Sequence, residues 1–284
     1  TSFDLTKYAY KQEELENISK RIHHQAVLFH HWPVWELDAL FKGCIQWSGF
    51  MGDPLAGSHL SSSQSHNLEE AKTNFIKKNK YVKSIKLSNN DDFSSLINND
   101  LIDKDKLTLD EQLDFQNRQT KYISSIVLMK GYDLKTPFLY QPYIDFMLSV
   151  DNKHRINQNL YKKILLNAFP KEFSYKTKTN FGLPLGASNN AVFINRVKNK
   201  ILRMIGLSKG IGINYLDFNE KIRTKKDLRD VISMNILDLK RRDIIDWIDI
   251  EKILNDHLSN KGNFADALIV LASLEIHLKA GKVL

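Results

Sequence analysis

The stretch CIQWSGFMGDPLAGSHL, residues 44–60, places a short apolar run directly before a turn that contains Gly49, Gly52 and Gly57. The run CIQW predicts a short buried strand, and the glycines predict a tight turn at its C-terminal end, where open α/β sheets bind ligands. Glycine lets the backbone approach an anion closely, and an aspartate in such a turn can hold a magnesium ion that accompanies phosphates. Asp53 occupies that position. Local chemistry alone favours an ordinary strand-to-helix turn with Asp53 as the helix cap.

Composition narrows the class of protein. The 284-residue chain has a single cysteine, Cys44, which excludes an internal disulfide and is typical of a reducing compartment. No run of about 18 apolar residues occurs, so no membrane span is expected. The first residues are polar and charged, unlike a secretory signal peptide. We therefore expect a cytoplasmic protein without a membrane partner.

The net charge of +8 raises the question of a nucleic-acid partner. The lysines are dispersed, and the densest run, FIKKNKYVKSIK at 75–86, carries only two aromatic residues. This pattern favours a solvated face, with anionic substrates such as ATP as the next reading and nucleic acid as the last.

The periodicity of the chain is mostly helical. Thr108 and Glu111 form a capping-box pattern that begins a long helix running to Gly131. A shorter helix after an asparagine cap is expected over 157–169, and an apolar helix that should be buried over 263–281. Four histidines pair at seven-residue spacing: His23, His24, His30 and His31. A metal-binding face is conceivable, but the spacing favours a helix surface or a satisfied core, because zinc prefers closer histidines with cysteine or carboxylate partners.

Four segments in this order resemble the synthetase domain of the asparagine synthetase family: WSGFMGDPLAG at 47–57, KGYDLKTPFLYQPYIDFMLSV at 130–150, YKKILLNAFPKEFSYKTKTNFGLPL at 161–185, and LASLEIHL at 271–278. The resemblance covers most of the chain. It implies an α/β fold with an adenine-nucleotide alpha-hydrolase-like core, incomplete and predominantly helical here. The implied parts are the remainder of the nucleotide-binding core (1–60), a polar insertion or mobile segment (61–106) and the helical part of the synthetase domain (107–284).

The resemblance also implies an activity. Such enzymes use ATP and Mg²⁺ to adenylate a carboxylate, which ammonia then converts into an amide. The implied magnesium ligand is Asp53, and the implied nucleotide-binding residues are Ser48, Gly49 and Gly52. The implied catalytic cations are Lys162, with Lys163 as its neighbouring alternative, Lys178 and Arg118. We expect Asp53, Arg118, Lys162 and Lys178 to converge on one cleft.

The sequence departs from the family pattern at several positions. Phe50 and Pro54 stand where the family has glutamates, and Lys135 and Tyr140 also break its second motif. These changes suit a divergent member of the family that acts on another carboxylate. That carboxylate belongs to a small molecule such as a sugar acid, to a glycan or to a peptide.

The family's Ser-Gly-Gly-x-Asp-Ser pyrophosphate loop has no counterpart, because the chain contains no Gly-Gly dipeptide. The N-terminal cysteine of a glutaminase domain is absent as well. We therefore expect the chain to begin inside the nucleotide-binding domain, and an N-terminal segment or a glutaminase partner chain to complete it. Two alternatives remain: a non-catalytic helical scaffold descended from this family, and an RNA-modifying ATP pyrophosphatase.

Overall fold

The computed structural model describes residues 7–25, 27–30, 34–60, 62–90, 92–98, 100, 105–177, 180–204 and 216–282. The chain divides into two compact units, which are described separately. The first comprises Thr1–Phe50, Gln64–Leu139 and Leu216–Leu284, and the second comprises Met51–Ser63 and Tyr140–Tyr215. The sequence-based divisions at residues 60 and 106 stay predictions.

Helices dominate the first unit. They are α1 (Gln12–Arg21), α2 (Val34–Phe41), α4 (Leu68–Asn79), α5 (Leu109–Leu113), a π-helix (Asp114–Ile123), α6 (Ser124–Val127), α11 (Phe218–Thr224), α12 (Lys226–Arg242), α13 (Ile250–Leu258) and α14 (Ala265–Ala280). Short 3₁₀ turns lie at Leu28–His30, Ser94–Leu96 and Pro137–Leu139.

Helix α14 is the centre of this unit. It packs against α12 and α1, and ten of its sixteen residues are buried. A helix that is apolar nearly all round must be enclosed, because no orientation of it leaves only polar side chains in water. The predicted buried terminal helix is therefore confirmed. Polar contacts fix its position, since the Ser19 hydroxyl of α1 lies 2.7 Å from His277 Nδ1 and the Leu28 amide donates to Ser273 Oγ.

The predicted helix after Thr108 is also confirmed. The Thr108 side chain accepts from the Glu111 amide, and the Glu111 carboxylate accepts from the Thr108 amide, so both halves of the capping box are present. Helical structure then continues to Val127, short of Gly131. Ten of its residues, Asp114–Ile123, are π-helical, which the sequence pattern did not predict.

A two-stranded parallel sheet belongs to the same unit. Strand β1 (Ile45–Trp47) pairs with β2 (Asp133–Lys135), with Gln46 opposite Leu134. The predicted strand before the glycine turn is therefore present, but its predicted burial is wrong, since Ile45 is 54% and Trp47 is 74% exposed. The fold class is α/β with helices predominating. The polar region 61–106 includes α4, which Asn67 caps by accepting from the Glu70 amide.

The second unit contains α3 (Gly52–Leu55), α7 (Gln141–Ser149), α8 (Asn152–Arg155), α9 (Asn159–Ala168) and α10 (Asn189–Met204), with 3₁₀ turns at Ile156–Gln158 and Glu172–Ser174. The predicted helix over 157–169 is confirmed, but its predicted asparagine cap is wrong. Gln158 is the N-cap residue, in a left-handed conformation and without a side-chain capping bond. Across the described residues, none of the helices combines the length and apolarity needed to cross a membrane.

Candidate functional site

Ser48 and Gly49 directly follow strand β1 in the first unit. The Ser48 amide donates to the Lys135 carbonyl at 2.8 Å, which extends the parallel ladder by one bond. The Ser48 hydroxyl accepts from the Phe50 amide at 3.2 Å and so closes the turn. Gly49 is exposed, and a Cβ built on it meets no atom within 4 Å. A side chain at Gly49 would therefore meet no described neighbour, whereas the adjacent Ser48 is buried.

The turn itself is formed differently from the expectation. The tight turn after β1 is present, but its left-handed residue is Met51, with φ of 66°, rather than a glycine. Gly52 is the buried first residue of α3. Pro54 is buried in the same helix, so an apolar ring occupies the position where the family pattern has a glutamate.

Asp53 lies exposed in the first turn of α3, in the second unit. Its Oδ1 accepts a hydrogen bond from Gln158 Nε2 at 3.0 Å. Two phenols lie within its electrostatic reach. Burial, together with the nearby charges of Tyr161 and Asp53, raises the pKa of Tyr143 to about 12. Burial and the charge of Asp53 also raise the pKa of Tyr161.

Sequence reasoning missed Gln158, Tyr143 and Tyr161 as neighbours of Asp53. Their places in the sequence could have indicated them. Tyr161 directly precedes Lys162 in the segment 161–185, and Gln158 directly precedes the helix that carries both residues. The left-handed residues Asn157 and Gln158 turn the chain just before α9. This turn gives Gln158 its position against Asp53.

The predicted catalytic cations differ in their location and exposure. Lys162 is half-buried on α9, in the same unit as Asp53, and Lys163 is exposed. Lys178 lies outside the described residues. Arg118 belongs to the π-helix of the first unit, where its Nη1 lies 4.0 Å from Asp114 Oδ1. The convergence of these residues on one cleft stays a prediction.

The described residues provide few ligands for a metal ion. Over the described part of the chain, no group of three or more histidine, cysteine, aspartate or glutamate side chains could hold a metal ion. Asp53 therefore supplies one carboxylate, which fits Mg²⁺ only if phosphate oxygens and water complete its coordination. His24 Nδ1 lies 2.9 Å from the Ser19 hydroxyl, which also contacts His277, so this histidine takes part in a hydrogen-bond network. His31 lies outside the described residues.

Comparison of the chain with protein-family models, with curated proteins and with solved structures found no match in any of the three.

Proposed function

We propose that the chain is the C-terminal part of an asparagine synthetase-like, ATP-dependent carbon–nitrogen ligase. The observation that carries the proposal is the strand–turn–helix sequence in which Ser48 and Gly49 follow parallel strand β1 and Asp53 lies in the first turn of α3. In open α/β sheets, ligands bind in the crevice outside the carboxyl ends of the parallel strands. The proposal includes an adenine-nucleotide alpha-hydrolase-like core as the fold. It also includes a cytoplasmic location.

The proposal gives each residue a role. Asp53 holds Mg²⁺ together with the phosphates of ATP, and Ser48, Gly49 and Gly52 line the nucleotide pocket. Lys162, Lys178 and Arg118 stabilise negative charge on the reacting groups, as fixed cations do where charge develops. When bound, ATP supplies the adenylyl group that activates a carboxylate of a small molecule, glycan or peptide toward ammonia.

The chain needs a further element for tight nucleotide binding. Backbone N–H groups of a glycine-rich loop normally neutralise a pyrophosphate, and these 284 residues contain no Gly-Gly dipeptide. We infer that an N-terminal segment or a glutaminase partner chain supplies this loop. Each charge-assisted hydrogen bond that is absent removes about 1.5–3 kcal/mol, so the chain alone binds ATP weakly.

A non-catalytic helical scaffold is the second candidate. Phe50 and the buried Pro54 favour it, because neither side chain can accept a proton or bind an ammonium group. An RNA-modifying ATP pyrophosphatase is a third reading, favoured by the net charge of +8.

Saturation-transfer NMR with Mg-ATP on the 284-residue chain tests the proposal, because the method detects weak binding. Asp53→Asn should weaken the signal about tenfold through loss of the metal carboxylate. Asp145→Asn is the matched control, since Asp145 is also exposed, lies in the same unit and accepts from a glutamine amide, Gln141 Nε2, at 2.8 Å. Equal effects of the two substitutions, or no signal at all, support the scaffold. Micromolar binding by the chain alone contradicts the inferred need for a completing loop.

A further inference from the structure

Helix α10 presents an apolar side to solvent. Four large apolar side chains lie within about 100° of one side of this helix, at 3.6 residues per turn, and form its apolar face: Phe193, Ile194, Val197 and Ile201. All four are between 40% and 66% exposed. An amphipathic helix of a globular protein normally directs such a side toward the core. The orientation of α10 therefore indicates a surface that another apolar phase covers.

Two asparagines hold the opposite side of α10 on its own unit. Asn195 Nδ2 donates to the carbonyl of Phe181 at 3.1 Å, and Asn199 Nδ2 donates to the same carbonyl at 3.5 Å. Both asparagines are half-buried. Their mean direction lies about 165° around the helix from the centre of the apolar face. These contacts therefore determine that the apolar face points outward.

The charged residues of α10 are all basic. Lys198 lies beside one edge of the apolar face, and Arg196 and Lys200 lie beside the other edge; all three are exposed. The guanidinium of Arg196 lies 5.8 Å from the centroid of the Phe181 ring. Long basic side chains at such edges keep their charged ends in water while their methylene groups cover apolar surface.

The positive charge of the protein is concentrated in the second unit. That unit contains twelve lysines and arginines and four acidic residues, so its net charge of +8 equals that of the whole chain. Residues 173–216, which include α10, contain seven basic residues and no aspartate or glutamate. The basic residues beside the apolar face thus have no acidic residue near them in the sequence.

We propose that α10 is an interfacial helix that binds the surface of a membrane rich in anionic lipids. Its apolar face inserts about 5–10 Å deep, at the boundary between the lipid headgroups and the acyl chains. The basic side chains at its edges stay level with the phosphate groups, where each raises the affinity about fivefold. Exposed cations are the groups that such a charged surface attracts.

Apolarity and charge together select this occupant. A nucleic-acid backbone would attract the basic side chains but offers no apolar surface to cover Phe193 and Ile194. A second copy of the chain would bring two basic faces together, and like charges repel. An anionic bilayer supplies both the apolar phase and the negative charge.

A helix that lies on a membrane surface does not need the length of a spanning helix. The proposal therefore departs from the sequence-based expectation of no membrane partner, which rested on the absence of a spanning segment. It does not depend on the proposed ligase activity, since no residue of α10 is assigned to that site.

Flotation of the 284-residue chain with lipid vesicles tests the proposal. Phosphatidylcholine vesicles with about 30% phosphatidylglycerol should bind the chain at least about tenfold more tightly than pure phosphatidylcholine vesicles. Raising the salt concentration from about 0.1 M to about 0.5 M should weaken this binding, because salt screens the attraction. No flotation with the anionic vesicles, or equal flotation with both kinds, overturns the proposal.

Tryptophan fluorescence locates the inserted face. Phe193→Trp should be quenched by lipids with brominated acyl chains beyond the quenching of the four native tryptophans, because position 193 inserts. Leu96→Trp, at a position of the first unit that is 73% exposed, is the control and should show no added quenching. Equal added quenching at the two positions overturns the assignment to α10.

Two apolar-to-acidic substitutions with the same change in charge test the apolar face. Phe193→Glu should weaken binding to the anionic vesicles at least about tenfold, since it removes an inserted ring and adds a repelled charge. Leu96→Glu should weaken it less than about twofold. Both positions are exposed, so both variants should keep the far-ultraviolet circular dichroism of the unmodified protein. Equal effects of the two substitutions overturn the proposal.

Two pairs of lysines test the charge. Joint replacement of Lys198 and Lys200 by glutamine should weaken binding about twentyfold. Joint replacement of Lys77 and Lys78, which are exposed on α4 in the first unit, makes the same change in net charge and should weaken binding less than about twofold. Equal effects of the two pairs would show that net charge rather than α10 drives the binding, and would overturn the proposal.

Discussion

The guanidinium of Arg155 donates two hydrogen bonds to the carbonyl oxygen of Leu55, from Nε and Nη2, each at 3.2 Å. A third bond runs from Nη1 to Asn152 Oδ1 at 3.0 Å, and the residue is completely buried. Arg155 thereby ties α8 to the end of α3, the helix that begins with Gly52 and Asp53. The position of the candidate magnesium ligand thus depends on a buried arginine one hundred residues later in the chain.

Replacing this arginine by lysine should destabilise the protein although the charge is kept. A lysine cannot reproduce the planar fork that reaches Leu55 and Asn152 together, and a buried ammonium group with fewer partners is costly. We expect Arg155→Lys to lower the free energy of unfolding by about 2–3 kcal/mol. Urea unfolding followed by circular dichroism measures the change. Arg196→Lys, at an exposed position of α10, is the control and should change stability by less than about 0.5 kcal/mol.

Gly57 should not tolerate a side chain. Its φ is +90°, and a Cβ built on it lies 2.3 Å from the carbonyl oxygen of Arg155. Gly182 has a similar φ of +85° but open space around it, so Gly182→Ala measures the cost of the backbone conformation alone. We expect about 1 kcal/mol for Gly182→Ala and about 3 kcal/mol for Gly57→Ala. Equal losses of unfolding free energy would show that the contact with Arg155 relaxes freely.

The buried ion pair between Glu275 and Arg242 should matter more than a surface pair. Glu275 is 1% exposed and its Oε2 lies 2.6 Å from Arg242 Nε. Glu275→Gln removes a buried carboxylate that pairs with both Arg242 and, at 3.8 Å, Lys279, and should cost about 3 kcal/mol in chemical unfolding. Glu251→Gln, which breaks the exposed pair with Lys240, should cost at most about 0.5 kcal/mol. A loss below 1 kcal/mol for Glu275→Gln would contradict the assigned role.

His257 should make stability depend on pH. Its ring is fully buried, Nδ1 accepts from the Phe264 amide at 3.0 Å, and Nε2 has no hydrogen-bond partner among the described residues. Burial, and secondarily the charge of Arg223, lowers the pKa of His257 to about 4. The unfolded chain therefore binds the proton first as pH falls. The stability contributed by the neutral ring is present above about pH 6.5 and is lost toward pH 4, by up to about 1.4 kcal/mol per pH unit.

The variant His257→Asn isolates this effect. Its amide oxygen can accept from the Phe264 amide but does not titrate, so the variant should show a smaller slope of unfolding free energy against pH between 6.5 and 4 than the unmodified protein. Urea unfolding at half-unit pH steps gives both slopes. Identical slopes would show that His257 does not carry the pH dependence.

Local signals in the sequence were sufficient for several elements. The capping box at Thr108 and Glu111, the apolar run before Ser48 and the enclosed helix Ala265–Ala280 all follow from neighbouring residues, because caps, turns and periodicity act over a few positions. The same reasoning placed the turn after β1 correctly. It wrongly assigned the left-handed backbone conformation of this turn to a glycine, whereas Met51 adopts it.

Long-range contacts account for most of what the sequence did not predict. Strand β2 consists of Asp133, Leu134 and Lys135, whose composition is unlike a strand, and it exists through its pairing with β1. The contact of Gln158 with Asp53, and of Arg155 with Leu55, each joins positions about one hundred residues apart. The π-helical turns likewise have no sequence pattern of their own.

The packing of α1 against α14 has a consequence for how the protein is made. Leu15 and Ile18 of α1 are almost completely buried in a core to which α14 contributes. Roughly 240 residues separate the two helices, and a ribosome that adds about 5–20 residues per second needs about 12–50 s to synthesise them. Throughout that interval α1 can meet early partners such as the turn Leu28–His30, but its contacts with α14 cannot form. The part of the α1 surface that α14 covers therefore stays open to a chaperone during this interval, and the first unit completes its core only after α14 has left the exit tunnel.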